Sequence, residues 1–317
     1  MTYVDEVVNY EFTQVSQKSI VSLTIQKKDY IQKLEKDWGK LRKKYNVPNG
    51  VCLHFTDIKA LLNEERFNEQ KEKNTVFYQI FQTDGILDTQ KLYDFYQDII
   101  EIIRNNNFKI VITSIRFTKA PKTEKKLFEK CLNKDWYVSL KVHLDKLADY
   151  FFEKSLYEFK NSKKKHPKFK ILKTKLRYDG DFGLTSKTQF RDAYAHAITT
   201  GTTNFSSEFI SECFDSLKFI DKEQVGTYSY CEECHNIPVS HAGNELLDFI
   251  AFFASNNEVR NDMLNDYKKF KGGTHEDAES YVNKNNRIFI EDGLPYIYPH
   301  KVIQDKIYQK TIDKTSV

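Results

Sequence analysis

The chain has 317 residues, 40% of them hydrophobic, including 24 Phe and 19 Tyr, so we expect one large domain or two smaller ones. Its net charge of +4 permits nucleic-acid binding without arguing for it. No run of about 18 apolar residues and no basic-then-apolar N-terminus occurs, which argues against a membrane span and a signal peptide. Five cysteines, an odd number, argue against a disulfide framework, and we expect a cytoplasmic protein.

Hydrophobic periodicity predicts strands alternating with helices. In chain order they are an antiparallel pair of β-rich runs at 1–8 and 19–25, helices at 27–45 and 90–106, a strand at 108–117, a long helix at 136–159, a strand at 168–183, a helix at 186–198, a short strand at 216–221 and a buried helix at 243–254. This order predicts an α/β fold with a mixed sheet flanked by helices. Because the sequence turns polar near residue 256, we expect one domain over 1–256 and a C-terminal extension or small lobe over 257–317.

Three acids interrupt apolar segments, namely Asp5 in the first strand, Asp179 at the end of "KLRYD" and Asp248 inside "NELLDFIAFFA". A buried carboxylate needs a cation or hydrogen-bond donors, so a structural salt bridge to Arg177, Arg191 or a lysine is one explanation for each. The alternative is that a mixed sheet gathers the three acids at one edge, where a divalent cation neutralises them.

Oxygen ligands with little Cys or His nearby favour Mg²⁺ or Mn²⁺ over softer metals. Such a site is suited to phosphodiester hydrolysis, because a bound metal activates water and stabilises the leaving oxygen. The supplementary candidates for this site are Glu6, His54, Asp57 and Glu245. Because side chains alternate along a strand, only one of Asp5 and Glu6 can face a given metal.

Several segments resemble the bacterial family known as domain of unknown function 3800, which is regarded as RNase H-like. They are "YVDEVVN", "LHFTDIKALL", "SLKFIDKEQ" and "SHAGNELLDFIAFFA", and they occur in the family's order over roughly residues 1–256. The resemblance implies an RNase H-like mixed sheet, with Asp5 as the first-strand acid, Asp248 as the acid of the closing helix and Asp179 as a strand-end acid. Val7 and Val8 stand where the family has Ser-Gly, so the turn after the first strand should differ.

Lysine runs are usually solvated surface, but the run at 161–170 is the densest and precedes the strand that ends in Asp179. We therefore take Lys163, Lys164, Lys165 and Lys168 as candidate phosphate contacts, with Phe169 and Tyr178 either stacking on bases or packing in a core. Cys231 and Cys234 have the spacing of a zinc half-site, yet no second Cys pair follows, so zinc is disfavoured. His143 and His196 fit structural roles.

These patterns favour a metal-dependent nuclease of RNase H-like type acting on RNA or DNA. The main alternative is a catalytically inactive RNase H-like module that binds nucleic acid or protein, as a subunit of a bacterial anti-phage defence system. A phosphatase-like enzyme for a small substrate is the third hypothesis. No phosphate-binding Gly-x-x-x-x-Gly-Lys loop, dinucleotide-binding Gly-x-Gly-x-x-Gly turn or Gly-x-Ser-x-Gly elbow is present. A protein partner or a homodimer stays open, and no membrane partner is expected.

Overall fold

The computed structural model describes residues 1–12, 15–118, 135–178, 184–220, 222–226, 240–254, 288–291, 294–297 and 307–314. Its elements, in chain order, are β1 (Thr2–Phe12), β2 (Val15–Ile25), α1 (Lys27–Asp29), a π-helical turn (Tyr30–Leu34), α2 (Glu35–Lys44), α3 (Phe55–Ala60), α4 (Glu64–Glu72), α5 (Val76–Phe81), β3 (Gln82–Thr83), β4 (Ile86–Leu87), α6 (Thr89–Asn105), β5 (Phe108–Thr118), α7 (Asp135–Lys160), β6 (Thr174–Tyr178), α8 (Leu184–Thr200), α9 (Ser207–Cys213), β7 (Phe214–Phe219), α10 (Lys222–Val225), α11 (Ala242–Ala254), β8 (Ile288–Glu291), β9 (Leu294–Ile297) and β10 (Ile307–Lys314).

The chain forms two compact units. The sheet unit comprises Met1–Thr24, Lys109–Asp221 and Tyr308–Val317, and the helix-rich unit comprises Ile25–Phe108 and Lys222–Ile307. This division differs from the boundary expected at residue 256, because compactness follows contacts between distant segments, whereas the sequence showed only a change in composition. Most of 257–317 lies outside the described residues.

The main sheet is mixed, with strand order β10-β5-β2-β1-β6-β7. β1 pairs antiparallel with β2 and parallel with β6, and β6 pairs parallel with β7. The predicted antiparallel pair is confirmed, but both strands run through the polar residues between 8 and 19, where Asn9 pairs with Gln17. In an antiparallel pair the backbone N–H and C=O groups of the two strands bond to each other whatever the side chains are. The polar side chains between residues 8 and 19 therefore gave the wrong positions for the strand ends.

The core of the sheet unit lies between the sheet and α7, α8 and α9. It contains Val4, Ile20, Val111, Leu140, Leu144, Leu147, Phe151, Leu176, Tyr178, Phe190, Ile210 and Phe214. Of the strand predicted over 168–183, Thr174–Tyr178 forms β6, whereas residues 168–173 are not in a strand and 179–183 lie outside the described residues. Ile171 and Leu172 pack against the core from a segment with no regular structure, so their apolar character reflects burial and not strand pairing.

The helix-rich unit is built on aromatic contacts among its helices. Phe249 of α11 contacts Trp38, Phe55 and Phe95 at ring-centroid distances of 6.2, 5.7 and 6.0 Å. The amphipathic helix predicted at 27–45 is confirmed and includes one π-helical turn. Among the described residues, no helix is long and apolar enough to span a membrane.

Candidate functional site

Asp5 lies on β1, one residue beyond the last described pair of the parallel ladder with β6. Val4 is opposite Tyr178, the last residue of β6, and Asp5 is the next residue of β1. On its other side Asp5 is paired with Val21 of β2. Its side chain is partly exposed, and its Oδ1 accepts a hydrogen bond from the backbone N–H of Glu6 at 2.9 Å. Asp5 therefore lies at the carboxyl end of a parallel pair, the end where open α/β sheets bind their ligands.

Glu6 accepts a hydrogen bond from the hydroxyl of Tyr178. Tyr178 is fully buried and stacks on Phe190, with ring centroids 4.2 Å apart. The hypothesis that Tyr178 stacks on bases is therefore wrong, because neither face of its ring is accessible. Because side chains alternate along a strand, Glu6 lies on the opposite face of β1 from Asp5. The hydrogen bond from Tyr178 therefore holds the carboxylate of Glu6 on that opposite face.

Asp179, the third predicted acid, lies outside the described residues. It follows Tyr178 directly in the sequence, as Asp5 follows Val4. Cys231 and Cys234 also lie outside the described residues, so the geometry does not test the prediction that they do not bind zinc.

The helix-rich unit brings three of the predicted residues together at the start of α3. His54 Nδ1 lies 3.3 Å from Asp57 Oδ2, and His54 Nε2 lies 3.7 Å from Asp248 Oδ1. Asp248 Oδ2 also accepts a hydrogen bond from the backbone N–H of Phe55 at 2.5 Å. The side chains of His54 and Asp248 are 31% and 21% exposed, so water and small solutes reach a histidine held between two carboxylates.

Glu245 lies on the same helix as Asp248, three residues earlier, but it is fully buried among donors. Its Oε1 accepts hydrogen bonds from Arg42 Nη1 at 2.6 Å and from the Leu53 N–H at 2.7 Å, and its Oε2 accepts one from Trp38 Nε1. Burial raises the pKa of Glu245 to about 7, although Arg42 and the other donors oppose the shift. Both carboxylate oxygens are engaged by protein donors, which is the environment of a structural ion pair.

Arg42 is the residue that sequence reasoning missed. A basic run such as "KLRKKY" is usually solvated surface, but Arg42 is 4% exposed and also donates to the backbone carbonyls of Pro48, Val51 and Gly226. It lies four residues after the buried Trp38, so the helical period marked it as part of the apolar face. The partners expected for a structural acid were Arg177, Arg191 or a lysine, and for Glu245 the structure shows Arg42 instead.

The predicted acids are thus distributed over both units. Asp5 and Glu6 belong to the sheet unit, whereas His54, Asp57, Glu245 and Asp248 belong to the helix-rich unit. Within the described part of the chain, no three His, Cys, Asp or Glu side chains form a group that could hold a metal ion. Carboxylate oxygens suit Mg²⁺ or Mn²⁺ chemically, but the described donors alone do not complete a ligand set.

The lysines predicted to contact phosphate, Lys163, Lys164, Lys165 and Lys168, are all exposed on the segment between α7 and β6. His143 is a satisfied structural histidine, as predicted. It is fully buried, with Nδ1 2.8 Å from Thr113 Oγ1 and Nε2 2.9 Å from Ser22 Oγ. His196, by contrast, is exposed on α8 and contacts Tyr137 and Lys141.

Comparison with known proteins adds no assignment: no family model matches the chain, and no curated protein or solved structure is significantly similar to it.

Proposed function

We propose that this chain is an RNase H-like hydrolase that cleaves phosphodiester bonds in nucleic acid, with Asp5 as its essential carboxylate. The observation that carries the proposal is the position of Asp5 on β1, one residue beyond the Val4–Tyr178 pair of the parallel ladder. Open α/β sheets bind their ligands beyond the carboxyl ends of their parallel strands, so a carboxylate at that position is suited to contact a substrate.

The strand arrangement supports an RNase H-like sheet. An antiparallel hairpin, β1 and β2, is followed on one side by β5 and on the other by β6 and β7, which run parallel to β1. The resemblance to domain of unknown function 3800 assigns the first-strand acid to Asp5 and a strand-end acid to Asp179. In sequence, each of these acids directly follows one member of the last β1–β6 pair.

In this proposal Asp5 and Asp179 are the first ligands of Mg²⁺ or Mn²⁺. When bound, such a metal neutralises clustered carboxylates and lowers the pKa of a bound water. The chain's own contribution is positional. Tyr178 holds Glu6 on the opposite face of β1, which leaves Asp5 as the carboxylate of this strand on the substrate side.

Asp248 remains a candidate ligand to be tested separately. One of its oxygens accepts the Phe55 N–H and the other faces His54, so its carboxylate already has local partners. Glu245 is a weaker candidate, because Arg42, Leu53 and Trp38 occupy its oxygens.

The test is cleavage of labelled single-stranded RNA, RNA–DNA hybrid and DNA by the purified full chain, with Mg²⁺ or Mn²⁺ and then with a chelator. We expect metal-dependent cleavage that falls by at least about 100-fold in Asp5→Asn, the size of effect seen when one transition-state contact is removed. Asp192→Asn, an exposed acid on α8, is the matched control and should retain full activity. Cleavage at the wild-type rate in Asp5→Asn contradicts the proposal.

Asp248→Asn and His54→Ala test whether the His54–Asp248 contact takes part in cleavage. Loss of cleavage in both, with normal folding, assigns the His54–Asp248 contact to catalysis. Full activity in both restricts catalysis to residues other than this pair.

A second candidate function is an RNase H-like module that binds nucleic acid or protein without cleaving, as in a subunit of an anti-phage defence system. The observation that favours it is the exposed lysine run of Lys163, Lys164, Lys165 and Lys168, because such a run suits phosphate binding and needs no metal. Nucleic-acid binding without cleavage under any metal condition selects this candidate over the hydrolase.

A further inference from the structure

Half-exposed aromatic rings form a continuous surface on the second half of α7 and the segments beside it. Phe152 contacts Phe169, Phe205 and Phe209 at centroid distances of 6.2, 6.2 and 5.9 Å. Phe159, nearly two turns further along α7, contacts Phe169 at 5.9 Å. Phe152 and Phe169 are 37% and 43% exposed, so each ring packs on the protein with one side and meets solvent with the other.

The segment that carries Phe169 is strongly basic. Residues 160–173 include seven lysines and no Asp or Glu, and every one of these lysines is exposed. Two of them, Lys168 and Lys170, flank Phe169 directly. Exposed acids also lie near the rings, Glu153 and Glu158 on α7 and Glu208 on α9, so the positive charge of this surface comes mainly from the 160–173 segment.

Residues 161–173 of this segment lack helix and strand, but the segment is anchored at its C-terminal end. The Leu172 N–H donates a hydrogen bond to Ser155 Oγ at 3.0 Å, and the buried Ser155 hydroxyl donates to the Phe151 carbonyl at 2.6 Å. Ile171 and Leu172 pack against the core, while Phe169 rests on Phe152 and Phe159. The ring of Phe169 is therefore held in place between two solvated lysines.

We propose that this surface binds single-stranded nucleic acid, with Phe169 and Phe152 stacking on bases and the lysines of 160–173 contacting phosphates. Binding of single strands requires the two components present here, a cationic track and aromatic faces that accept any base. In a duplex the base faces are already stacked on one another, so the same rings have nothing to bind. The inference specifies the substrate class of the proposed hydrolase, and its link with catalysis rests on that proposed function.

An anionic membrane is the other kind of partner that attracts lysines and aromatic residues. The rings of this surface are packed side by side and do not protrude as anchors, and no exposed Leu, Ile or Val accompanies them among the described residues of 150–173. A ring with one packed face and one open face fits stacking better than insertion into lipid.

The test is fluorescence anisotropy with the full chain in chelator, so that binding is measured without cleavage. The probes are a labelled 20-nucleotide poly-U RNA, a poly-dT of equal length and a 20-base-pair DNA duplex. We expect both single strands to bind at least about tenfold tighter than the duplex, because only they offer free base faces. Phe169→Ala should weaken single-strand binding by about 5- to 150-fold, the range for one lost stacking contact, and Phe169→Trp should restore it.

Tyr157→Ala is the matched control. Tyr157 is 68% exposed on the same helix but lies about 140° around it from Phe152, so its loss should leave binding unchanged. Reversing the charge of Lys163, Lys164 and Lys165 together should reduce the slope of log affinity against log salt by about 2, since each phosphate contact contributes about 0.7. These lysines are exposed, so the triple variant tests the surface even if Phe169→Ala is poorly folded.

Equal affinity for duplex and single strand, or unchanged affinity in both Phe169→Ala and the lysine variant, overturns the inference. Binding to phosphatidylserine vesicles that depends on Phe169, with no binding to either oligonucleotide, also overturns it and assigns the surface to membranes. Asp5→Asn separates the two proposals. If this variant binds single strands normally and neither it nor the wild type cleaves them, the binding surface is supported and the hydrolase is contradicted. If the wild type cleaves in a metal-dependent way and cleavage and binding are unchanged by the Phe169 and lysine substitutions, only the hydrolase is supported.

Discussion

The sheet unit and the helix-rich unit bury titratable side chains in opposite ways. In the sheet unit His143 is surrounded by neutral hydroxyl groups of Thr113 and Ser22, and burial lowers its pKa to about 3. In the helix-rich unit Glu245 faces Arg42 and two further donors, and burial still raises its pKa to about 7. One site stays neutral and the other is an ion pair, so the two units should respond differently to mutation and to pH.

The signs of the two pH effects are opposite between about pH 5 and pH 7. The pKa of His143 is lower in the folded than in the unfolded chain, so its stabilising contribution is present above about 6.5 and is lost as the pH falls. The pKa of Glu245 is higher in the folded chain, so its contribution is present at low pH and is lost as the pH rises through about 7. The two contributions partly cancel in the whole protein, and single variants are needed to separate them.

The largest expected effect comes from breaking the buried ion pair. At about pH 8, where Glu245 is ionised, Arg42→Ala should lower the free energy of unfolding by about 3–5 kcal/mol, because it leaves the Glu245 carboxylate buried without its cation. The matched control is Arg66→Ala, which removes an exposed pair with Glu69 and should cost at most about 0.5 kcal/mol. Urea denaturation of both variants measures the difference, and equal losses would contradict the structural role of Arg42.

His143 should make the wild-type protein less stable in acid. Between about pH 7 and pH 5 its contribution falls by about 2 kcal/mol, because the unfolded chain takes up a proton that the buried ring excludes. His143→Gln keeps polar atoms near Ser22 and Thr113 without titrating, so its unfolding free energy should lack this decrease. His196→Gln, on the exposed face of α8, is the control. A wild-type pH response in His143→Gln contradicts the assignment.

Glu245 should produce a change of similar size and opposite sign. Over the same pH interval, acidification adds about 2 kcal/mol to the wild-type stability, since the folded chain binds the proton more tightly. Glu245→Gln removes this increase, whereas Glu65→Gln, an exposed acid on α4, keeps it. Urea denaturation at the two pH values measures both variants, and an unchanged increase in Glu245→Gln refutes the pKa assignment.

The smallest expected effect concerns a purely neutral contact in the sheet unit. The hydroxyl of Thr2 lies 2.9 Å from Thr24 Oγ1 and 2.8 Å from Thr174 Oγ1, and it joins three neighbouring strands. Thr2→Val should cost about 1–2 kcal/mol, because the two remaining hydroxyl groups lose a buried partner. Thr2→Ser keeps the hydroxyl group and should cost less in thermal denaturation. If the two variants are equally destabilised, the hydroxyl contacts contribute nothing beyond packing.

Much of the fold could be predicted from local patterns. The spacing of apolar residues located α2, α6, α7, α8 and α11 to within a few residues, and β-branched residues located β5. The strand ends were predicted less well, because pairing with a neighbouring strand extends β1 through polar residues, and β6 begins only at Thr174. Strand length depends on the partner strand, which a local pattern does not contain.

The candidate site shows the same limit for side chains. The sequence identified His54, Asp57 and Asp248 separately, and the structure brings them into contact. Glu245 and Asp248 are three residues apart on one helix and therefore lie on the same side of it, but their burial differs. Glu245 is 2% exposed, whereas the side chain of Asp248 is 21% exposed. The spacing of two residues along a helix tells which side of the helix they lie on. Their burial depends on which other parts of the chain pack against that side.

By itself the sequence determined the residue types that chemistry requires, including the acid of the first strand and the lysines of 160–173, because these are properties of single positions or short segments. Only the tertiary structure decided which of them are available. It buried Glu245 against Arg42 and Tyr178 against Phe190. It left Asp5 one residue beyond the last described β1–β6 pair, and it left Phe169 open to solvent. How far a carboxylate is desolvated, and which cation or donor it pairs with, depend on segments that are far apart in the chain. These two properties distinguish a buried structural acid from an acid that is accessible to ligands.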